Sequence, residues 1–155
     1  MATRTLVLRT GSPRDIDAVE ALMAQAFDPR FGEAWTRGQC MGVLAMPGVR
    51  LLLAYLDEEP AGFAMTRLVI DEVELLLLAT VPAQRRRGVA ATLLRAMMAE
   101  AASEGAVSLH LEVRAGNDAV RLYTAHGFAK VGERRGYYRG KQGQLHDAHT
   151  YARQL

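Results

Sequence analysis

Around Gly88 the residue types are those of an anion site. An apolar run, Leu75–Thr80, leads through Val81-Pro82-Ala83-Gln84 into Arg85-Arg86-Arg87-Gly88-Val89-Ala90-Ala91, where helical spacing begins. A strand that delivers the chain into a helix start leaves several backbone N–H groups without intrahelical acceptors. Together with the helix dipole, these groups attract a phosphate. Gly88 and Ala90 are too small to hold a diphosphate off the main chain, and the three arginines set cations beside it. The loop lacks the Gly-x-x-x-x-Gly-Lys-Ser/Thr of a P-loop and the three-glycine spacing of a dinucleotide-binding turn. Taken alone, the stretch also reads as a capped surface helix after a solvated basic turn.

Other chemistries find less support. Cys40 is the single cysteine, so an internal disulfide is excluded, and no histidine motif accompanies it as for a thiol nucleophile. His110, His126, His146 and His149 lack metal-ligand spacing, and no metal is expected. Tyr137 and Tyr138 among Arg134, Arg135 and Arg139 have the composition of a nucleic-acid contact. A net charge of +2 is too small for a polyanion track, however, and no nucleic-acid partner is expected.

The elements that must position the loop follow from periodicity. Leu6 and Leu8 mark a first strand, and Ser12-Pro13-Arg14-Asp15 a capped helix start. Ile16, Val19, Leu22, Met23 and Ala26 give that helix its apolar face. A second helix is predicted over about Ala34–Leu44, then a meander of strands: Val49–Leu56, a turn at Asp57–Pro60, Ala61–Ile70 and Val73–Thr80. A helix opens after Gly88 and stops at Gly105. In Val107–Val113 the residues Val107, Leu109, Leu111 and Val113 face one way, and Ser108, His110 and Glu112 the other. Asn117 caps a short helix, Asp118–His126, after which Phe128 folds back on Leu122 or Tyr123; two further strands lie around Tyr137–Tyr138 and His146–Ala152. This order predicts one domain over residues 1–155 with a mixed sheet, and 155 residues suffice to bury its core. The apolar runs fall well short of the roughly 20 residues of a membrane helix, and MATRTLVLRTGSPRD has too short an apolar stretch for a secretory signal. The expected location is the cytoplasm, with no membrane partner.

The chain resembles the GNAT acetyltransferase superfamily, whose loop reads Arg/Gln-x-x-Gly-x-Gly/Ala, as does Arg85-Arg86-Arg87-Gly88-Val89-Ala90. Over about Asp71–Ala148 it is similar to the ribosomal-protein alanine N-acetyltransferases. The matching segments are Leu111-Glu112-Val113-Arg114-Ala115-x-Asn117, Leu122-Tyr123-x-x-x-Gly127-Phe128 and Arg134-Arg135-x-Tyr137-Tyr138. The resemblance implies an α/β (α+β) fold, with a mixed, mostly antiparallel sheet of about seven strands flanked by about four helices. It implies acetyl-CoA as cosubstrate. The main chain of Leu78, Ala79 and Thr80 would meet its pantetheine arm, and Arg85, Arg86, Arg87, Gly88, Val89, Ala90 and Ala91 its pyrophosphate, with Asn117 a further contact. It makes Glu112 the general base and Tyr123 the general acid for direct attack by an amine in a ternary complex. The acceptor implied is a protein N-terminal α-amine. A small amine is the alternative, and a CoA-binding module without turnover a third reading, against which Glu112 and Tyr123 both stand. Each role has a competing one: Glu112 as partner of Arg114, Tyr123 as packing against Phe128, Asn117 as cap alone, Glu74 as a second base. The chain departs from the family pattern at Leu77, at Phe31-Gly32-Glu33-Ala34-Trp35-Thr36 and at Arg139–Gln144.

Overall fold

The computed structural model describes residues 5–82 and 88–155. Seven strands form one sheet in the order β1-β2-β3-β4-β5-β7-β6. They are β1 (Leu6–Thr10), β2 (Val49–Leu56), β3 (Glu59–Val69), β4 (Glu72–Thr80), β5 (Ser108–Arg114), β6 (Ala129–Arg139) and β7 (Leu145–Gln154). Helices α1 (Ile16–Ala26) and α2 (Arg37–Leu44) follow β1, α3 (Val89–Ser103) crosses from β4 to β5, and α4 (Ala119–Ala125) follows β5. The element order is the one that periodicity predicts. The sheet is the mixed one that the resemblance implies: β4 and β5 run parallel and the other neighbours antiparallel.

Capping sets the helix starts. Ser12 and Asp15 close a reciprocal box around a 3-10 turn, Pro13–Asp15, and α1 begins at Ile16. The second helix starts at Arg37 and not near Ala34, because Thr36 is its N-cap and Gln39 returns a bond to the Thr36 N–H. Asp57 and Glu58, both at positive φ, make a two-residue hairpin turn, so β3 begins at Glu59, ahead of the predicted Ala61.

Buried residues form a cluster on each face of the sheet. Val89, Leu93, Leu94 and Met97 of α3 pack on Leu109, Leu111 and Val113 of β5, with Tyr123 and Phe128 at one end. Val19, Leu22 and Met23 of α1 pack with Cys40 on Leu51, Leu53 and Phe63. Each leucine fully buried this way contributes about 1.5–3 kcal/mol. Val107 departs from the predicted alternation. It lies half exposed before β5, its N–H held by the Asp71 carbonyl.

The feature that makes room for a site is a bulge in β4. Thr66 pairs with Leu75 but Met65 with Leu77, so Leu76 is the extra residue. The bulge reverses the alternation: Val73 and Leu75 lie in the α3 cluster, whereas Leu77 and Ala79 lie in the α1 cluster. Pairing between β4 and β5 ends at Leu75 and Leu111. Beyond that fork no described strand pairs with β4 on its β5 side, and Glu112 is the first β5 residue past it.

Candidate active site

The fork opens into a cleft of about 950 Å³. The structure brings Leu78, Ala79 and Thr80, Gly88, Val89, Ala90 and Ala91, Glu112, Asn117 and Tyr123 to its walls. Arg85, Arg86 and Arg87 lie outside the described residues. Along one wall, the β4 main chain from Leu76 to Thr80 has donors and acceptors that β5 does not use. At one end stands the start of α3. Gly88 sits there at φ 77°, a conformation that favours glycine, with no described heavy atom within 4 Å of where a Cβ would be. An extended arm carrying amides and a diphosphate fits both features.

Glu112 reaches the cleft because its neighbours along the strand, Leu111 and Val113, are buried against the core on the other side. Its side chain is 21% exposed and its carboxylate lies 3.0 Å from Nε of Arg134, on β6. The pairing with Arg114 considered above does not occur. Arg114 instead donates from Nε to Glu33 at 3.2 Å, with side-chain exposures of only 13% and 10%, and its guanidinium stacks 3.7 Å from the Phe31 ring centroid. The Asn117 amide donates to the same Glu33 carboxylate at 2.8 Å and accepts from the Ala119 N–H, but the N-cap position of α4 is Asp118 and not Asn117, because the helix begins at Ala119. Glu74 lines the cleft as well, with the His110 ring nitrogen Nε2 4.0 Å from its carboxylate.

Tyr123 is placed by the end of α4. Gly127, at φ 86°, allows the Phe128 N–H to bond back to the Tyr123 carbonyl, and the two rings meet edge to face at 5.8 Å. The packing reading is thus correct for one side of the ring, while its other side lines the cleft. Burial, then the negative charge of Glu33, holds the Tyr123 phenol well above the ordinary tyrosine range; burial does the same for Tyr138. Both phenols therefore keep their protons at neutral pH. An acid whose folded value is raised lends stability that is complete below the unfolded value, about 10, and is lost above it. The melting temperature should fall as pH rises past about 10, and Tyr123→Phe should make that fall shallower. Identical pH slopes in the two proteins would contradict the assignment.

Sequence reasoning did not single out Glu33 as a site residue. Its partners Arg114 and Asn117 are far off in the chain, and no local pattern announces the network. The two segments that depart from the family pattern meet each other here. A Cβ on Gly32 would lie 2.0 Å from the Arg139 carbonyl oxygen and one on Gly140 1.8 Å from that of Arg30. The Lys141 N–H donates to the Pro29 carbonyl. Main chain packed on main chain fixes this side of the cleft, which Phe31 and Trp35 line. Among the described residues, no helix is long and apolar enough to cross a membrane.

A mixed sheet that forks beside a helix start, with a carboxylate and a neutral phenol facing the opening, is an arrangement suited to acyl transfer onto an amine. The family model for the acetyltransferase (GNAT) family matches residues 16–128. The chain belongs to that family. It is 42% identical over 88 residues to the [ribosomal protein bS18]-alanine N-acetyltransferase of Salmonella typhimurium, a match covering 56% of this chain and 60% of that one. It is 32% identical over 117 residues to the protein of the same name from Haemophilus ducreyi, covering 74% and 79%. The crystal structure of the ribosomal-protein-S18-alanine N-acetyltransferase from Escherichia coli superposes with a TM-score of 0.87 at 27% identity, over 97% of this chain and 94% of that one.

Proposed function

We propose that this protein is an acetyl-CoA-dependent N-acetyltransferase whose acceptor is the N-terminal α-amine of a protein, of the ribosomal kind named for its relatives, in the cytoplasm. The observation that carries the reading is the convergence of Glu112 and Tyr123 from two different elements on a cleft that also has a free strand edge and a helix start. When bound, acetyl-CoA supplies an acetyl group as a thioester. The main chain of Leu78–Thr80 and the N–H groups of Gly88–Ala91 hold and orient it, with Asn117 beside them.

An N-terminal amine is mostly protonated at neutral pH and must lose a proton to attack. Glu112 takes that proton, directly or through one water. As the new C–N bond forms and the C–S bond breaks, the phenol of Tyr123 gives its proton to the departing sulfur, and the proton that the nitrogen sheds on becoming an amide restores the phenol. Burial keeps that phenol protonated for the task.

An acceptor panel tests the proposal. A peptide copying the N-terminus of bS18 should be acetylated with a kcat/KM at least about tenfold above that of free amino acids or polyamines. The same peptide with a blocked N-terminus should be inert. Faster turnover of a small amine would transfer the assignment to that class, and no turnover with any acceptor would leave a CoA-binding module.

A further inference from the structure

Two arginines in this site are held in opposite ways. Arg114 is partly buried, hydrogen-bonded to Glu33 and stacked on Phe31. Arg134 is 62% exposed, and its contact with Glu112 is an ion pair alone. Register explains how it gets there. Glu112 lies opposite Thr150 on β7, and Thr150 lies opposite Gly132 on β6, which has no side chain to cover the carboxylate. One row along stands Ala148, with Arg134 beyond it, so the arginine reaches diagonally over a methyl group to Glu112.

Just past Arg134 the strand bulges. β6 advances from Arg134 to Tyr138 while β7 advances only from Ala148 to His146. Gly136, at φ 61°, makes the turn, and its N–H is pinned by Asp147 at 2.9 Å. The bulge sets the Tyr137 ring 5.2 Å from the Arg134 guanidinium while that guanidinium pairs with Glu112, so the cation keeps an aromatic neighbour when the carboxylate is taken from it.

We propose that Arg134 is a placeholder cation: it occupies Glu112 in the free protein and is displaced by the acceptor's ammonium group, so acceptor binding is an exchange of one cation for another. The inference rests on the reading of Glu112 as the group that receives the acceptor's proton. Arg134 then acts as a positioning residue. It holds the carboxylate aimed into the cleft until an ammonium group takes its place. An exposed ion pair is weak enough for this exchange to cost little.

Calorimetry on the protein with CoA bound tests the exchange, using one peptide with a free N-terminal alanine and the same peptide N-acetylated. Arg134→Gln should tighten the free-amine peptide by about two- to fivefold, the range of an exposed ion pair. It should leave the acetylated peptide unaltered, and Arg134→Lys should restore the wild-type affinity. In a Glu112→Gln background Arg134→Gln should have no effect, because there is no carboxylate to compete for. Weakened or unchanged binding of the free-amine peptide in Arg134→Gln overturns the proposal, as does an equal change for both peptides. If Glu112→Gln impairs transfer while Arg134→Gln changes nothing, the placeholder role alone fails. If Glu112→Gln leaves transfer and affinity as in the wild type, the reading of Glu112 fails and the placeholder role with it.

Discussion

Acetyl-CoA at about a hundredfold excess over its dissociation constant should stabilise the wild-type protein by about 2.7 kcal/mol, and Gly88→Asp should lose that stabilisation while Gly88→Asn keeps most of it. In a chain of this size such a stabilisation corresponds to a rise in melting temperature of about 5–10 °C. The pair is chosen for the backbone. Gly88 is at φ 77°, and asparagine and aspartate are the side chains that tolerate this region best, so both variants bear a similar strain. Neither side chain meets a described heavy atom within 4 Å at its Cβ, and both types suit a helix N-terminus. What separates them is one negative charge at the place proposed for the pyrophosphate. Two like charges about 4 Å apart near a surface repel by about 4 kcal/mol, or about a thousandfold in affinity. Equal thermal shifts in the two variants would show that no anion binds beside Gly88.

The elements were legible where composition changes abruptly. β2 has the predicted bounds, Val49–Leu56, because an apolar run is closed by Gly48 on one side and by Asp57-Glu58 on the other. β6 was placed too late, since Lys130–Arg135 lies at the sheet edge with both faces largely exposed and carries no apolar alternation to read. The bulge at Leu76 was hidden for the opposite reason. Leu75 to Leu78 are four leucines in a row, so a change of face leaves no trace in the pattern.

The cleft residues share this division. Glu112, Asn117 and Tyr123 fall in spaced motifs of the second half of the chain, and Leu78–Thr80 in the strand that the family resemblance assigns to the cofactor arm. What surrounds them, Glu33 on Arg114 and Arg134 on Glu112, depends on which strands become neighbours. Glu112 and Arg114 lie two apart on one strand face, and proximity in sequence favoured a pair between them. The sheet instead gives each a partner from another segment, and Arg134 comes within reach only because β7 lies between β5 and β6.

Glu112→Gln should lower the transfer rate at neutral pH by about 10²- to 10⁴-fold, the usual contribution of a positioned general base. Glutamine keeps the length of the side chain and removes its capacity to accept a proton. The fold should survive. The carboxylate's partner, Arg134, is 62% exposed and returns to water, at a cost of at most about 1 kcal/mol. The pH dependence carries the sign of the mechanism. An N-terminal amine ionises near pH 8, so at lower pH the variant must wait for the minority that arrives already deprotonated. Its rate should climb with pH up to about 8 and level off above, narrowing the deficit against the wild type as the proton to be removed disappears. Glu74→Gln provides the comparison, because Glu74 lines the same cleft from β4 and no described arginine pairs with its carboxylate. A deficit of constant size across this range would mean that Glu112 orients the amine without taking its proton. A deficit that appears in Glu74→Gln and not in Glu112→Gln would place the base on β4.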